Sequence, residues 1–353
     1  MNSQNKPLDA MSSPTNSHNP TNYFTMKQCL RDIVSERQHP IAIHAADDIY
    51  QQSSRDKDPK ELFEKTANWM SNIRSTALNE SQQNLFADEI HNATIRAIFG
   101  SNMIEGAGLG YEITDQLCRK TFAGEDVEGD NLHELYSLQP DLKEMPVQKI
   151  WHGRNEVVQH AKAFQHIIHA FVTEKQDLSE DLIKETHRIL AEGVPISLRD
   201  GSEIPPEEYG GIYRTVIVGA GSTNFTVPKF VPAKMKEMCE NLKEELSVAE
   251  EKKTIDPFSV AAKYSLEFVT IHPFQDGNGR LCRMILNAIL CRYAGIIIPI
   301  GEHGEEREEY INIKKRSSET MEGHGEYAVF VLRKAFTRVR DLKKKLAGKS
   351  KEK

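Results

Sequence analysis

Twelve consecutive residues, His272-Pro273-Phe274-Gln275-Asp276-Gly277-Asn278-Gly279-Arg280-Leu281-Cys282-Arg283, gather the groups of this chain best suited to chemistry. Gly277 and Gly279 lack Cβ atoms, so the backbone can turn sharply and bring its N–H groups close to an anion. The apolar sequence that follows predicts a helix, which would place those N–H groups at a positive helix start. Arg280 and Arg283 lie three residues apart and share a helix face, where they can fork phosphate oxygens. Asp276 is a hard oxygen ligand of the kind magnesium takes beside phosphates. His272, with a reference pKa of about 6.5, is substantially neutral near pH 7 and can accept a proton. Together these are the parts that hold a magnesium-bound polyphosphate and deprotonate a hydroxyl beside it. A calcium loop fits less well: it alternates oxygen ligands over twelve positions and ends in Glu, whereas two arginines stand here.

The elements needed to hold this run are legible around it. Asp256-Pro257 is an N-cap and first-turn pair that opens a helix towards Thr270. Beyond the glycines, Leu281, Met284, Ile285, Ala288 and Ile289 recur at helical spacing, with Gly295 as the stop. The apolar stripe and the Arg280/Arg283 edge point different ways, so one side enters a core while the other faces a ligand. Upstream, Tyr213 to Val218 is β-branched, Gly219-Ala220-Gly221 is a turn, and Asn224 to Val227 is a second extended run. That pattern predicts a β-hairpin.

The segment 272–283 resembles the signature of the Fic (Fido) family, His-Pro-Phe-x-Asp-Gly-Asn-Gly-Arg-x-x-Arg, at all nine specified positions. The resemblance covers roughly residues 90 to 336. It implies a mostly α fold, with a Fic-type helical core, a small β-hairpin flap and a preceding inhibitory helix. It also implies transfer of AMP from ATP to a protein hydroxyl. On that basis His272 is the general base and Asp276 helps hold Mg2+. Gly277, Asn278, Gly279, Leu281 and Cys282 line the phosphates, Arg280 binds them too, and Arg283 positions the γ-phosphate. Relatives that transfer the terminal phosphate lack the second arginine, so Arg283 favours AMP transfer. The flap of the family covers the site and docks an extended target segment by strand pairing. Gly211-Ile212-Tyr213-Arg214 resembles its lead-in, and Val216, Ile217, Val218 and Gly219 would lie against the nucleotide.

Two further segments gain meaning from the same resemblance. Read alone, Glu105 in Ser101-Asn102-Met103-Ile104-Glu105-Gly106 is a solvated residue near a helix end. The segment resembles the family's inhibitory motif, Ser/Thr-x-x-x-Glu-Gly/Asn, whose Glu pairs with the second signature arginine, here Arg283. A bias of about 2–3 kcal/mol from that pair would hold activity down about 30- to 150-fold. Arg307-Glu308-Glu309-Tyr310 resembles an Arg-x-x-Tyr segment whose Tyr borders the adenine. Ile311 stands where many relatives have a second Tyr, and Ser318 falls near an Asn of some relatives. Both departures bear on base selectivity.

Composition narrows the rest. The 353 residues, 39% hydrophobic, can bury one large core or two smaller ones. A net charge of −7 gives no electrostatic footprint for nucleic acid. No apolar run approaches the roughly 20 residues that span a bilayer, and no secretory signal is visible. Five scattered cysteines without CxxC spacing read as reduced thiols, which makes cytoplasmic or nuclear residence the default. His166 and His169 lie three apart, as core or surface histidines rather than ligands. The expected organisation is an N-terminal segment at 1–56, disordered at least to about 22. A helical region at 57–176 carries the motif 101–106, followed by the catalytic core at 177–336 and a basic tail at 337–353, whose last dozen residues, 342–353, read as a frayed, solvated helix end. The expected partner is a target protein with an exposed Ser, Thr or Tyr on an extended segment. Homodimers are common in the family. A de-AMPylase using the same site, with Glu105 directing water, is the alternative enzymatic reading. A nucleotide-sensing module without turnover is the alternative from another class.

Overall fold

A computed structural model describes residues 41–46, 49–50, 58–75, 78–125, 127, 136, 139–198, 200–219, 225–320 and 323–349. The disorder expected for residues 1–22 lies outside the described residues. So do positions 220–224 of the expected hairpin and residues 350–353 of the tail.

The described residues are mainly helical, in keeping with the mostly α expectation. In chain order the elements are β1 (Ala42–Ile43), α1 (Pro59–Ser75), α2 (Glu80–Glu105), α3 (Tyr111–Ala123), α4 (Val147–Ile167) and α5 (Glu180–Ala191). They continue with β2 (Ile196–Ser197), β3 (Glu203–Ile204), α6 (Pro206–Tyr209), α7 (Val231–Lys252), β4 (Thr254–Ile255) and α8 (Pro257–Ile271). The last three are α9 (Asn278–Ala294), α10 (Gly304–Thr320) and α11 (Gly325–Lys349). A short π-helical segment, Ile168–Thr173, extends α4.

α9 is the axle of the fold. α8, α4, α2 and the π-helical segment all pack on it. Leu281, Met284, Ile285, Ala288 and Ile289 are fully buried, as their spacing predicts, and Gly295 ends the helix at φ 67°. α8 begins as expected: Asp256 Oδ1 accepts from the Ser259 N–H at 3.0 Å. The same carboxylate accepts from the Ala46 N–H at 3.0 Å and the Tyr50 hydroxyl at 2.8 Å. One side chain therefore caps α8 and ties the segment after β1 to it. β1 runs parallel to β4, and β2 antiparallel to β3.

α2 carries the Glu105 motif at its C-terminal end. Asn79 and Gln82 form a capping box at its start, and Gly106, left-handed at φ 67°, closes it. α11 alters the expectation for the C-terminus. Where fraying was expected from residue 342, the helix runs to Lys349 and buries Val339, Leu342 and Leu346. Arg338 and Lys345 reach across to Glu89 of α2. The lysines mask an apolar stripe of period three to four, which packs on α1 and α2.

The hairpin expectation also changes. Neither residues 213–219 nor 225–227 form strand pairs. The carbonyls of Val216 and Thr226 accept from the guanidinium of Arg214 rather than from N–H groups of the opposite arm. β propensity alone does not make a ladder when a side chain takes its acceptors.

Candidate active site

The turn from α8 into α9 fixes the candidate site groups. His272 follows α8 in the left-handed conformation, φ 54° and ψ 60°, with its N–H on the Phe268 carbonyl at 3.0 Å. Such a conformation is costly for a residue with a Cβ and persists only where the surroundings enforce it. Its Nδ1 lies 3.1 Å from the Val269 carbonyl. A carbonyl can only accept, so Nδ1 carries the proton and Nε2 keeps its lone pair for an incoming hydroxyl. Phe225 stacks on the ring, centroids 3.7 Å apart and planes at 19°. Burial pushes the imidazole down to about 4. The Val269 carbonyl, Glu105 and Asp276 oppose that shift, and the Arg214 charge adds to it. His272 is thus a neutral base throughout the physiological range.

The glycine loop is closed from within. Asn278 Oδ1 accepts from the Phe274 N–H at 2.9 Å, and its Nδ2 donates to the Phe274 carbonyl at 2.8 Å. The Asn278 side chain, expected on the phosphates, is committed to the loop instead, leaving its backbone N–H for an anion. Gly277 sits at φ 76°, and a Cβ there would come within 3.1 Å of His187 Nε2. His187 supports this side of the loop. Its ring stacks on Phe274 at 3.7 Å and 3°, and its Nδ1 accepts from the Gly211 N–H at 2.8 Å. Its Nε2–H then donates to the Asp276 carbonyl at 2.9 Å. Burial pulls His187 down to about 4, which keeps this neutral tautomer.

Leu281 and Cys282 contribute differently from expectation. Both side chains point into the core, and the Leu281 N–H is taken by the Gly277 carbonyl at 3.0 Å. The N–H groups available at the start of α9 are those of Asn278, Gly279 and Arg280, which have no intrahelical carbonyl to bond.

The two arginines face three carboxylates: Glu105 at the end of α2, Glu156 on α4, and Asp276 in the loop before α9. Arg283 Nη2 donates to Glu105 Oε1 at 2.5 Å. Arg283 also donates through Nε to Ser101 Oγ at 2.8 Å and through Nη2 to the Ser101 carbonyl at 3.1 Å. Burial alone would lower Arg283, but Glu105 and Tyr310 outweigh it and hold the guanidinium above its usual range. The Glu105 carboxylate crowds the start of α9: a Cβ on Gly279 would lie 2.1 Å from its Oε1. An internal carboxylate therefore stands where a helix N-terminus would receive a phosphate. Arg280 Nη2 donates to Asp276 Oδ2 at 2.9 Å, and its Nη1 lies 3.5 Å from Glu156 Oε1 on α4. Glu156 Oε2 accepts from the Gly108 N–H at 2.7 Å, joining Arg280 to the loop that follows α2.

Two expected contacts are placed otherwise. Tyr310 is only 4% exposed and packs on Tyr327 and Phe330, with the Arg283 guanidinium 5.8 Å from its ring centre. It backs the arginine rather than offering an open face. In the flap, Ile217 is 87% exposed, while Val216 is joined to the His272 region through Arg214. Among the described residues no hydrogen bond ties Val218 or Gly219 to the signature loop.

Asp276 suits magnesium by its donor chemistry. Its side chain is half exposed and stands beside the available N–H groups. Magnesium commonly takes one or two carboxylates and completes its shell from substrate phosphates and water. Among the described residues no three His, Cys, Asp or Glu groups converge on one point. Nor is any described helix long and apolar enough to cross a membrane.

Sequence reasoning missed Glu156, His187 and Phe225. Glu156 and His187 come from helices distant from the signature and carry no local pattern, and Phe225 lay in the noted run Asn224–Val227 without its stacking being visible. Arg214 lay within a noted segment, but its role was not visible.

Residues 177–290 match the Fic/DOC family. The chain is 31% identical over 160 residues to Protein adenylyltransferase fic-1 of Caenorhabditis elegans, covering 44% of this chain and 27% of that protein. It is 24% identical over 245 residues to Protein adenylyltransferase Fic of Nematostella vectensis, covering 69% of this chain and 46% of that protein. The matches thus span about a quarter to a half of these relatives. Among solved structures, a Fic-1 fragment from C. elegans aligns with a TM-score of 0.56 at 20% identity, over 83% of this chain and 73% of that one. A Fic domain containing signaling protein from Bacteroides thetaiotaomicron aligns with a TM-score of 0.52 at 20% identity, over 81% and 94%. These likenesses are of fold.

Proposed function

We propose that this chain, whose residues 177–290 match the Fic/DOC family, is a protein adenylyltransferase held in check by its own Glu105. The observation that carries the reading is the neutral, Nε2-accepting His272 beside a helix start that two arginines flank. The substrates are ATP and a Ser, Thr or Tyr hydroxyl on an extended segment of a target protein. The names of the adenylyltransferase relatives support the donor.

In this reaction Nε2 of His272 takes the hydroxyl proton and the freed oxygen bonds to the α-phosphorus. The bond from that phosphorus to the bridging oxygen breaks, and pyrophosphate leaves. The backbone N–H groups of residues 278–280 and the Arg280 guanidinium hold the phosphates in line. Asp276 would hold magnesium, which supplies charge neutralisation on the phosphates when bound. Arg283 would grip the γ-phosphate, but Glu105 already occupies it and crowds Gly279. Removing the carboxylate frees both.

The test is label transfer from α-labelled ATP to lysate proteins and to the chain itself. It compares wild type, Glu105→Gly and Glu105→Gly/His272→Ala, with intact-mass readout. Strong labelling by the single mutant alone, with one added AMP, is expected. No labelling by any of the three with ATP binding intact would overturn the reading in favour of AMP removal or nucleotide sensing.

A further inference from the structure

Arg214 is 5% exposed, and no carboxylate lies within ion-pair distance of it among the described residues. A buried guanidinium without a counter-ion is expensive unless its donors are satisfied. Here every partner is a main-chain carbonyl. Nε donates to His272 at 2.5 Å, Nη1 to Val216 at 3.0 Å, and Nη2 to Thr226 at 2.6 Å and Ile271 at 3.3 Å. Its own N–H donates to the Pro273 carbonyl at 2.9 Å. One side chain therefore reaches the end of α8, the left-handed residue after it, and both arms of the flap. Phe225, next to Thr226, lies flat on the His272 ring.

We infer that Arg214 is the positioning residue of the active site. It holds His272 in its left-handed conformation with Nδ1 on the Val269 carbonyl, and fixes the flap arms relative to that base. The inference rests on the adenylyltransferase reading for its kinetic part only. Lysine cannot replace the fork: a single ammonium on a flexible stem does not reach four carbonyls spread across one planar group. With Arg214 lost, the αL strain at His272 relaxes, and a base displaced by about 1 Å costs on the order of 100-fold in rate. The phosphate grip, built from α9, α2 and α4, is not touched by this residue.

The experiment uses the Glu105→Gly chain as parent and adds Arg214→Lys or Arg214→Ala. Imidazole nitrogen NMR of histidine-labelled protein is read alongside kcat and the KM for ATP. The parent is expected to show His272 as a single Nδ1–H tautomer and the variants an averaged one. The kcat should drop on the order of 100-fold while the KM for ATP stays within about threefold. Added guanidinium ion should restore part of the rate and the single tautomer in the alanine variant. Should that variant fail to fold, the lysine variant carries the decision. An unchanged tautomer in every variant would overturn the inference. So would a rise in the KM for ATP in step with the lost rate, which would make Arg214 a nucleotide ligand. If the parent itself transfers no AMP, the adenylyltransferase reading fails alone and the tautomer still decides the role of Arg214.

Discussion

The two sides of this active site are built on opposite principles. On the phosphate side, ion pairs set the arginines: Arg283 with Glu105, and Arg280 with Asp276 and Glu156. That side is complete and occupied by an internal carboxylate. On the hydroxyl side, one guanidinium collects backbone carbonyls, and Ile212, Val216, Ile217 and Val227 remain exposed. The difference separates two kinds of control. On the proposed function, the nucleotide side is released by removing Glu105, whereas the target side gains its partner from outside.

The sharpest break between them comes from His272 and Glu105. Removing the base from the Glu105→Gly chain should lower AMP transfer by about 10³-fold, within the range of a general base, and leave ATP affinity in place. Restoring Glu105 to the active chain should instead lower it about 30- to 150-fold, as labelling rates will show. Asn278→Ala attacks the loop that both sides share. It orphans the buried N–H and carbonyl of Phe274, and should cost about 2 kcal/mol or more of stability, read as a lower denaturation midpoint. If stability holds and only ATP affinity falls, Asn278 acts on phosphate after all.

Acid offers a graded probe. His272 sits at about 4 in the fold against a free value of 6.5. The folded chain binds the proton less well, so neutral His272 contributes stability above pH 6.5 that is lost as pH falls through about 4. Transfer by the Glu105→Gly chain should show its acid limb in that lower range. A limb centred at pH 6 to 7 would mean a solvated base rather than a buried one. The smallest effect is expected at the flap tip. Ile217→Asp should raise the KM for the target protein about three- to tenfold with the KM for ATP unchanged, separating the two sides directly.

How much of this was legible depended on distance along the chain. The signature run, the Asp256 cap and the Gly295 stop are local, and all three sit where their spacing predicts. The Glu105–Arg283 pair joins residues 178 positions apart, and only the family resemblance pointed to it. Glu156 and His187 had no such guide, because a buried carboxylate or imidazole on a helix looks like any other until the helices pack. Among the described residues the flap forms no strand pair: β-branched residues predict an extended chain, but a ladder also needs N–H and C=O groups facing each other across the arms. The C-terminal lysines hid Val339, Leu342 and Leu346 in the same way, since charge along one face says nothing of the other.

The left-handed backbone at His272 bears on how this position tolerates replacement. Alanine removes the imidazole but must still hold a conformation that L-residues with a Cβ avoid, so it alters the turn as well as the chemistry. Asparagine visits that region far more readily and cannot serve as a base. A chain carrying His272→Asn would therefore be the cleaner inactive control, silent in transfer while presenting targets with an unaltered surface.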